Sequence, residues 1–210
     1  MAGGEIDLIS LFKQVSKSME QNQESLNEAD TYNHDHGDHM VEIFEVITQA
    51  MKEKKNADPA DQLEYAARIL RSKTASGSGT LYAKGLDQAA KQITGKELNA
   101  GSVVSMLQTI LAAGEKTSSQ SATNADAIGS LLGQLTGTSS ESSDQGLDLS
   151  DLLGAGMSYM AAKQSGKSDL EAIAGALVSG SQMASSSHRA QSSELVTSTL
   201  LSALTTMMKQ

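Results

Sequence analysis

The sequence predicts an all-α protein, an antiparallel barrel or bundle of about eight amphipathic helices. Two observations support this prediction. Apolar residues recur at three- to four-residue spacing along most of the 210-residue chain, which is the period of a helix with one buried face. The chain is 39% hydrophobic but only 3% aromatic, a palette that favours packed helices over a β-sandwich. The length fits one domain over residues 1–210.

Charge and composition exclude several classes of function. The net charge is −9 and the chain has no basic run, so we expect no nucleic-acid partner. The absence of cysteine excludes disulfides and thiolate chemistry. No apolar run is long enough to cross a membrane, and the N-terminus lacks the charged and apolar regions of a signal peptide. We therefore expect a cytoplasmic protein without a membrane partner.

Two predicted helices flank a polar segment that is rich in possible ligands. The first spans residues 5–27, and the second begins near Asp38 and buries Met40 and Phe44. Between them, residues 30–40 contain three aspartates and three of the four histidines in the chain. A buried core has no use for such a composition, because desolvated polar groups without partners are costly. A solvated loop would tolerate it, but we favour a binding site.

The next three helices are predicted from their start signals. Asp58 as N-cap and Pro59 at the first helical position open the third helix. Residues 74–82 form a turn of small residues that opens the fourth. Backbone N–H groups at such a turn can cradle an anion, although a flexible linker has the same composition. Either Asn99 or Ser102 caps the fifth helix.

The second half of the chain is less regular. Residues 115–146 are rich in Ser, Thr, Gly and Gln, which predicts a mobile insertion with one short helix. Helices are then predicted over 149–162 and 168–178, followed by a polar turn over 185–193 and a last helix over 195–207.

Three of these polar turns are expected to meet. In an antiparallel helical array alternate connections lie at the same end, which brings together residues 30–40, 74–80 and 185–193. Carboxylates, helix N-termini and one arginine would then lie together at one end of the helical bundle. That combination suits a phosphate held through a divalent cation, because carboxylate oxygens are ligands that Mg²⁺ prefers.

The same residues resemble a known family. Leu26-Asn27-x-x-Asp30 and Asp35-x-Gly37-x-x-Met40 resemble the signature of the nucleotide-binding L domain of dihydroxyacetone kinases and fatty-acid kinases. Residues 76–82 are similar to that family's Gly-Ala-Ser-Gly-Pro-Leu-Tyr turn. The resemblance implies that residues 1–210 form one L-type domain. It also implies a barrel of eight antiparallel helices whose mouth binds ATP or ADP through Mg²⁺, one or two ions in this chain.

Carried over residue by residue, the resemblance implies a site. Asp35 falls on the family's last aspartate, Asn33 falls on the middle one, and the Leu-Asn match puts Asp30 on the first. Asp38 is an additional nearby carboxylate, and residues 187–192 only loosely match a Gly-His-Arg-Asp-Pro-Gly turn. The implied metal-binding residues are Asp30, Asn33, Asp35 and Asp38, and the implied nucleotide-binding residues are His36, Gly37, His39, Met40, Ser78, Gly79 and Arg189.

The function this implies is an ATP- or ADP-binding subunit of a dihydroxyacetone-kinase-like phosphotransferase. The chain has no recognisable substrate-binding domain, so it would need a separate substrate-binding kinase subunit and be inactive alone. The alternative is a non-catalytic nucleotide-, metal- or lipid-binding module on the same barrel. The order His34-x-His36-x-x-His39 also permits a Zn²⁺ or Ni²⁺ site, since imidazole suits those ions.

Overall fold

The fold described here comes from a computed structural model, which describes residues 6–113 and 186–208 together with the isolated residues 164 and 178. These residues form six helices and no strand, which confirms the all-α prediction. The predicted insertion and the helices predicted over 149–162 and 168–178 lie essentially outside the described residues. The described part thus has six helices, not eight, and the barrel remains a prediction. The helices are α1 (Leu8–Ala29), α2 (His36–Glu53), α3 (Pro59–Lys73), α4 (Gly77–Ile93), α5 (Ala100–Leu111) and α6 (Ser187–Met208).

Local sequence fixes where most of these helices begin. Pro59 opens α3 after Asp58, as predicted, although the Asp58 side chain makes no capping hydrogen bond. The two candidate caps of α5 act together, because the Asn99 side chain accepts from the Ser102 N–H while the Ser102 hydroxyl accepts from the Asn99 N–H. This reciprocal pair is a capping box, which supplies acceptors to N–H groups that have no acceptor within the helix.

Helices that follow one another along α1–α5 pack together, and α6 closes onto α1. Gln191 lies 3.5 Å from Ser25 and Thr199 lies 3.1 Å from Ser18 between side-chain polar atoms, so α6 runs antiparallel to α1. Phe44 is in ring contact with both Phe12 and Tyr82, which joins α1, α2 and α4 in one hydrophobic core. No helix among the described residues is both long and apolar enough to cross a membrane.

One boundary prediction was wrong. Residues 187–193 were expected to be a polar turn, but α6 already begins at Ser187. The polar residues do not interrupt the helix, because their hydroxyls bond to helix carbonyls: Ser192 to Arg189 at 3.0 Å and Thr197 to Ser193 at 2.7 Å. Such local bonds let serine and threonine lie inside a helix even where it is buried. The side chains of residues 187–190 therefore project from a helix and not from a loop.

Candidate functional site

The candidate site begins at Asp30, the residue that ends α1. Its side chain is buried, with 5% of the residue exposed. One carboxylate oxygen accepts from the backbone N–H groups of Tyr32 at 3.1 Å and Asn33 at 3.5 Å. Burial by itself would raise the pKa of Asp30, but these N–H groups and the nearby His188 outweigh it and lower the pKa. Asp30 is thus a buried carboxylate that stays ionised.

His36 is the first residue of α2 and is also buried, with 5% exposed. Its Nε2 lies 2.9 Å from the Ser192 hydroxyl oxygen, and its ring lies 4.7 Å from the ring of His188 between centroids. Burial lowers the pKa of His36 to about 4; the charges of His188 and Arg189 add to this effect and Asp30 opposes it. The imidazole is therefore neutral at neutral pH.

The N-terminus of α2 is capped by a residue of α1. The Asn27 amide oxygen accepts from the N–H groups of Gly37 at 2.6 Å and Asp38 at 3.2 Å. The Asp38 carboxylate accepts from the side-chain amides of Asn27 and Gln23, both at 2.8 Å, and these bonds lower its pKa. The Asp38 carboxylate is therefore hydrogen-bonded to two side chains of α1.

Asp35 occupies the N-cap position of α2 but makes no capping hydrogen bond. One of its carboxylate oxygens lies 3.5 Å from Nδ1 of His39, and both side chains are partly exposed. An aspartate at this position ordinarily bonds the N–H groups of the first turn. Asn27 already holds two of those groups, so the Asp35 carboxylate is not needed for the cap.

The N-terminus of α4 lies against α6. Ser76 caps it by accepting from the Gly79 N–H at 3.0 Å, while Gly77 and Ser78 lie in the first turn, where N–H groups have no intrahelical acceptor. The guanidinium of Arg189 lies so close to Gly77 that a Cβ there would be 2.8 Å from Nη2. A larger residue at Gly77 would therefore have to displace the end of the flexible arginine side chain from the helix end.

The first two turns of α6 join these parts. His188 reaches Asp30, with Nδ1 at 3.8 Å from a carboxylate oxygen, Ser192 reaches His36, and Arg189 reaches Gly77. We refer to Asp30, His36, Gly77, His188, Arg189 and Ser192 as the polar junction. The sequence predicted this convergence of three polar segments, and the structure shows it.

Other predicted site residues are placed differently. Met40 is fully buried in the core, Asn33 and His34 are exposed, and Gly79 gives its N–H to Ser76. Ser78 is buried in the first turn of α4. Among residues 6–113 and 186–208, no three His, Asp or Glu side chains are grouped so that they could share a metal ion. The structure therefore does not gather His34, His36 and His39 into the imidazole site that their spacing permits.

Sequence reasoning missed three residues that organise the site. Asn27 was noted for the resemblance but not as the cap of α2, and His188 and Ser192 were assigned to a turn without a role. His188 carried a signal, because it is the one histidine outside residues 34–39. Ser192 carried none, since serine is common in that part of the chain.

The described fold is that of a helical domain that presents carboxylate, imidazole and guanidinium groups where helix ends meet. A model of the DAK2 domain, the domain of the dihydroxyacetone kinase L-subunit family, matches residues 34–153, more than half of the chain. The chain belongs to this family. The match includes His36 and Gly77, whereas Asp30 and α6 lie outside it. Comparisons with curated proteins and with solved structures found no match.

Proposed function

We propose that this chain is the nucleotide-binding subunit of a dihydroxyacetone-kinase-like phosphotransferase. It would hold the phosphates of ATP or ADP through Mg²⁺ at the polar junction and act with a separate substrate-binding subunit. Membership of the DAK2 family indicates the L-subunit role. The observation that carries the rest is the meeting of Asp30, the N-terminus of α4 and Arg189 through the first turn of α6.

The groups present have the chemistry for polyphosphate. The start of α4 offers backbone N–H groups at the positive end of a helix, which favours bound anions. The guanidinium of Arg189 lies against the same helix end, and its planar donors match phosphate oxygens. Ser78 adds a hydroxyl within this first turn.

Two carboxylates near the start of α2 would supply oxygen ligands to Mg²⁺. Asp30 is a buried, ionised carboxylate, and Asp35 precedes α2 with a carboxylate that the helix cap does not use. Mg²⁺ usually takes one or two carboxylates together with substrate phosphates and waters, so it does not require three protein ligands. When bound, it would neutralise phosphate charge. Asp30 and Asp35 would hold it, and Asp38 would support α2 through Gln23 and Asn27.

The test is calorimetric titration with ADP in the presence of Mg²⁺. We expect Asp35→Ala to weaken binding by at least roughly a hundredfold, since it removes a proposed ligand of the ion. Its unfolding should change little, because Asp35 makes no capping bond. Asp58→Ala is the matched control: Asp58 is also an N-cap aspartate without a capping bond, and it precedes α3.

Two results would contradict the proposal. If the wild-type chain shows no Mg²⁺-dependent binding of ATP or ADP, the function is wrong. If Asp35→Ala binds ADP as tightly as Asp58→Ala, the ion is held elsewhere and the role of Asp35 is wrong.

A non-catalytic nucleotide-binding module on the same fold is the second candidate. It is favoured by Asn33, which is exposed and stands where the resemblance implies an aspartate, because fewer carboxylates hold two divalent ions less well. ADP binding without phosphoryl transfer to any hydroxy-ketone or acyl acceptor, in the presence of candidate partner subunits, would support this reading. Lipid binding in an apolar cavity between Met-rich and Gly/Ala-rich helices stays a prediction, to be tested by mass spectrometry of extracted lipid.

A further inference from the structure

We infer that Ser192 is a positioning residue that takes the Nε2–H of His36, so that Nδ1 is the only ring nitrogen His36 can offer to a ligand. Only the identity of the ligand in this inference rests on the proposed function. The contact itself is a property of the folded chain, because Nε2 lies 2.9 Å from the Ser192 hydroxyl oxygen and both residues are buried.

The direction of this hydrogen bond follows from the second contact of Ser192. The same hydroxyl oxygen lies 3.0 Å from the carbonyl oxygen of Arg189, one turn earlier in α6. A carbonyl oxygen can only accept, and a serine hydroxyl has one hydrogen to donate. Both contacts are hydrogen bonds only if that hydrogen is given to Arg189 and the Ser192 oxygen accepts from His36. Nε2 therefore carries the proton, whichever form Nδ1 is in.

The consequence concerns which groups contact phosphate. With Nε2 bonded to Ser192, only Nδ1 is left to contact the nucleotide to which the resemblance assigns His36. The groups that can donate to phosphate whatever the state of His36 are Arg189, Ser78 and the N–H groups at the start of α4.

The side-chain nitrogens can be observed directly. In ¹⁵N-labelled protein without nucleotide, we expect the proton of His36 on Nε2, with slow exchange because it is buried and bonded. Ser192→Ala should make this N–H signal exchange faster by roughly fivefold or more, in keeping with the loss of one ordinary hydrogen bond. Ser192→Thr, which keeps the hydroxyl, should restore slow exchange.

Ser198→Ala is the matched control. The Ser198 hydroxyl makes the same bond to the carbonyl three residues earlier, Leu195 at 3.1 Å, but contacts no histidine. It should leave the His36 signal unchanged, which separates the specific contact from a general loosening of α6. A His36 signal assigned to Nδ1–H alone in the wild type, or an Nε2–H signal equally protected in Ser192→Ala, would overturn the inference.

The two proposals fail separately. An Nδ1–H ring with normal ADP binding would remove the role of Ser192 and leave the nucleotide site in place. A protected Nε2–H in a chain that binds no nucleotide would leave the positioning contact in place and remove the proposed function.

Discussion

The helix N-termini of α2 and α4 both adjoin the polar junction, but they are stabilised differently. Helix α4 supplies its own cap, because Ser76 accepts from the Gly79 N–H three residues later. Helix α2 takes its cap from α1, where Asn27 accepts from the N–H groups of Gly37 and Asp38. Because the cap of α2 comes from another helix, the side chain of Asp35, the residue before α2, makes no capping hydrogen bond. Tertiary packing thus leaves the Asp35 carboxylate outside the cap of α2.

The largest expected effect tests how closely the two helix ends are packed. A Cβ at Gly37 would lie 2.0 Å from the backbone oxygen of Gln23, which cannot move without displacing α1. A Cβ at Gly79 would lie 2.3 Å from Cγ2 of Thr74, and its relief needs a shift only of the short segment between α3 and α4 that carries Thr74. Gly37→Ala should therefore cost about 3 kcal/mol of unfolding free energy and Gly79→Ala about 1 kcal/mol.

Urea denaturation of the two glycine variants measures this difference. A loss of about 1 kcal/mol or less in Gly37→Ala would mean that α1 can yield at this contact, and the close approach of α1 and α2 would not be needed to place the cap.

The next effect compares the two caps. Asn27→Ala removes the acceptor of two N–H groups and one donor to the Asp38 carboxylate, so it should cost about 2 kcal/mol. Ser76→Ala removes one capping bond and should cost about 1 kcal/mol.

Chemical denaturation at neutral pH provides both values. If Asn27→Ala costs no more than Ser76→Ala, then Asp35 replaces the missing cap in that variant. The double variant Asn27→Ala/Asp35→Ala would show this replacement as a further loss.

The last comparison concerns the first residue of each helix, since α2 begins with a histidine and α4 with a glycine that cannot titrate; its effect on stability is small at neutral pH and grows as the pH is lowered. The pKa of His36 falls from 6.5 to about 4 on folding, chiefly because of burial. Between these values the unfolded chain binds a proton that the folded chain does not. The free energy of unfolding should thus fall as pH is lowered through this window, by up to about 1.4 kcal/mol per pH unit.

The measurement is the pH dependence of urea unfolding, with His36→Gln as the comparison. This variant should flatten the profile between pH 6.5 and about 4, the window set by the two pKa values. The lowered pKa values of Asp30 and Asp38 add a separate loss of stability, as pH falls through their folded-state pKa values. Identical slopes for wild type and His36→Gln would show that His36 is not buried as a neutral group.

Much of the described fold could be predicted because its signals are local. Apolar spacing identifies α1 to α5, and the residue pairs at Asp58–Pro59 and Asn99–Ser102 place the starts of α3 and α5. The start of α6 was missed because the sequence reads as a polar turn, yet its hydroxyls bond to helix carbonyls within α6. Composition cannot show whether a serine ends a helix or lies inside one, since the same hydroxyl can do both.

The sequence by itself determined the helical class of the protein and placed a charged, imidazole-rich segment between its first two helices. Only the tertiary structure decided the partner of each side chain: Asp38 bonds to Gln23 and Asn27, His36 to Ser192, and Asp30 faces His188. The physical reason is that helix periodicity is set by neighbours along the chain. The partner of a buried polar group, in contrast, is set by whichever distant segment packs against it, here for Asp30 and His36 the first two turns of α6.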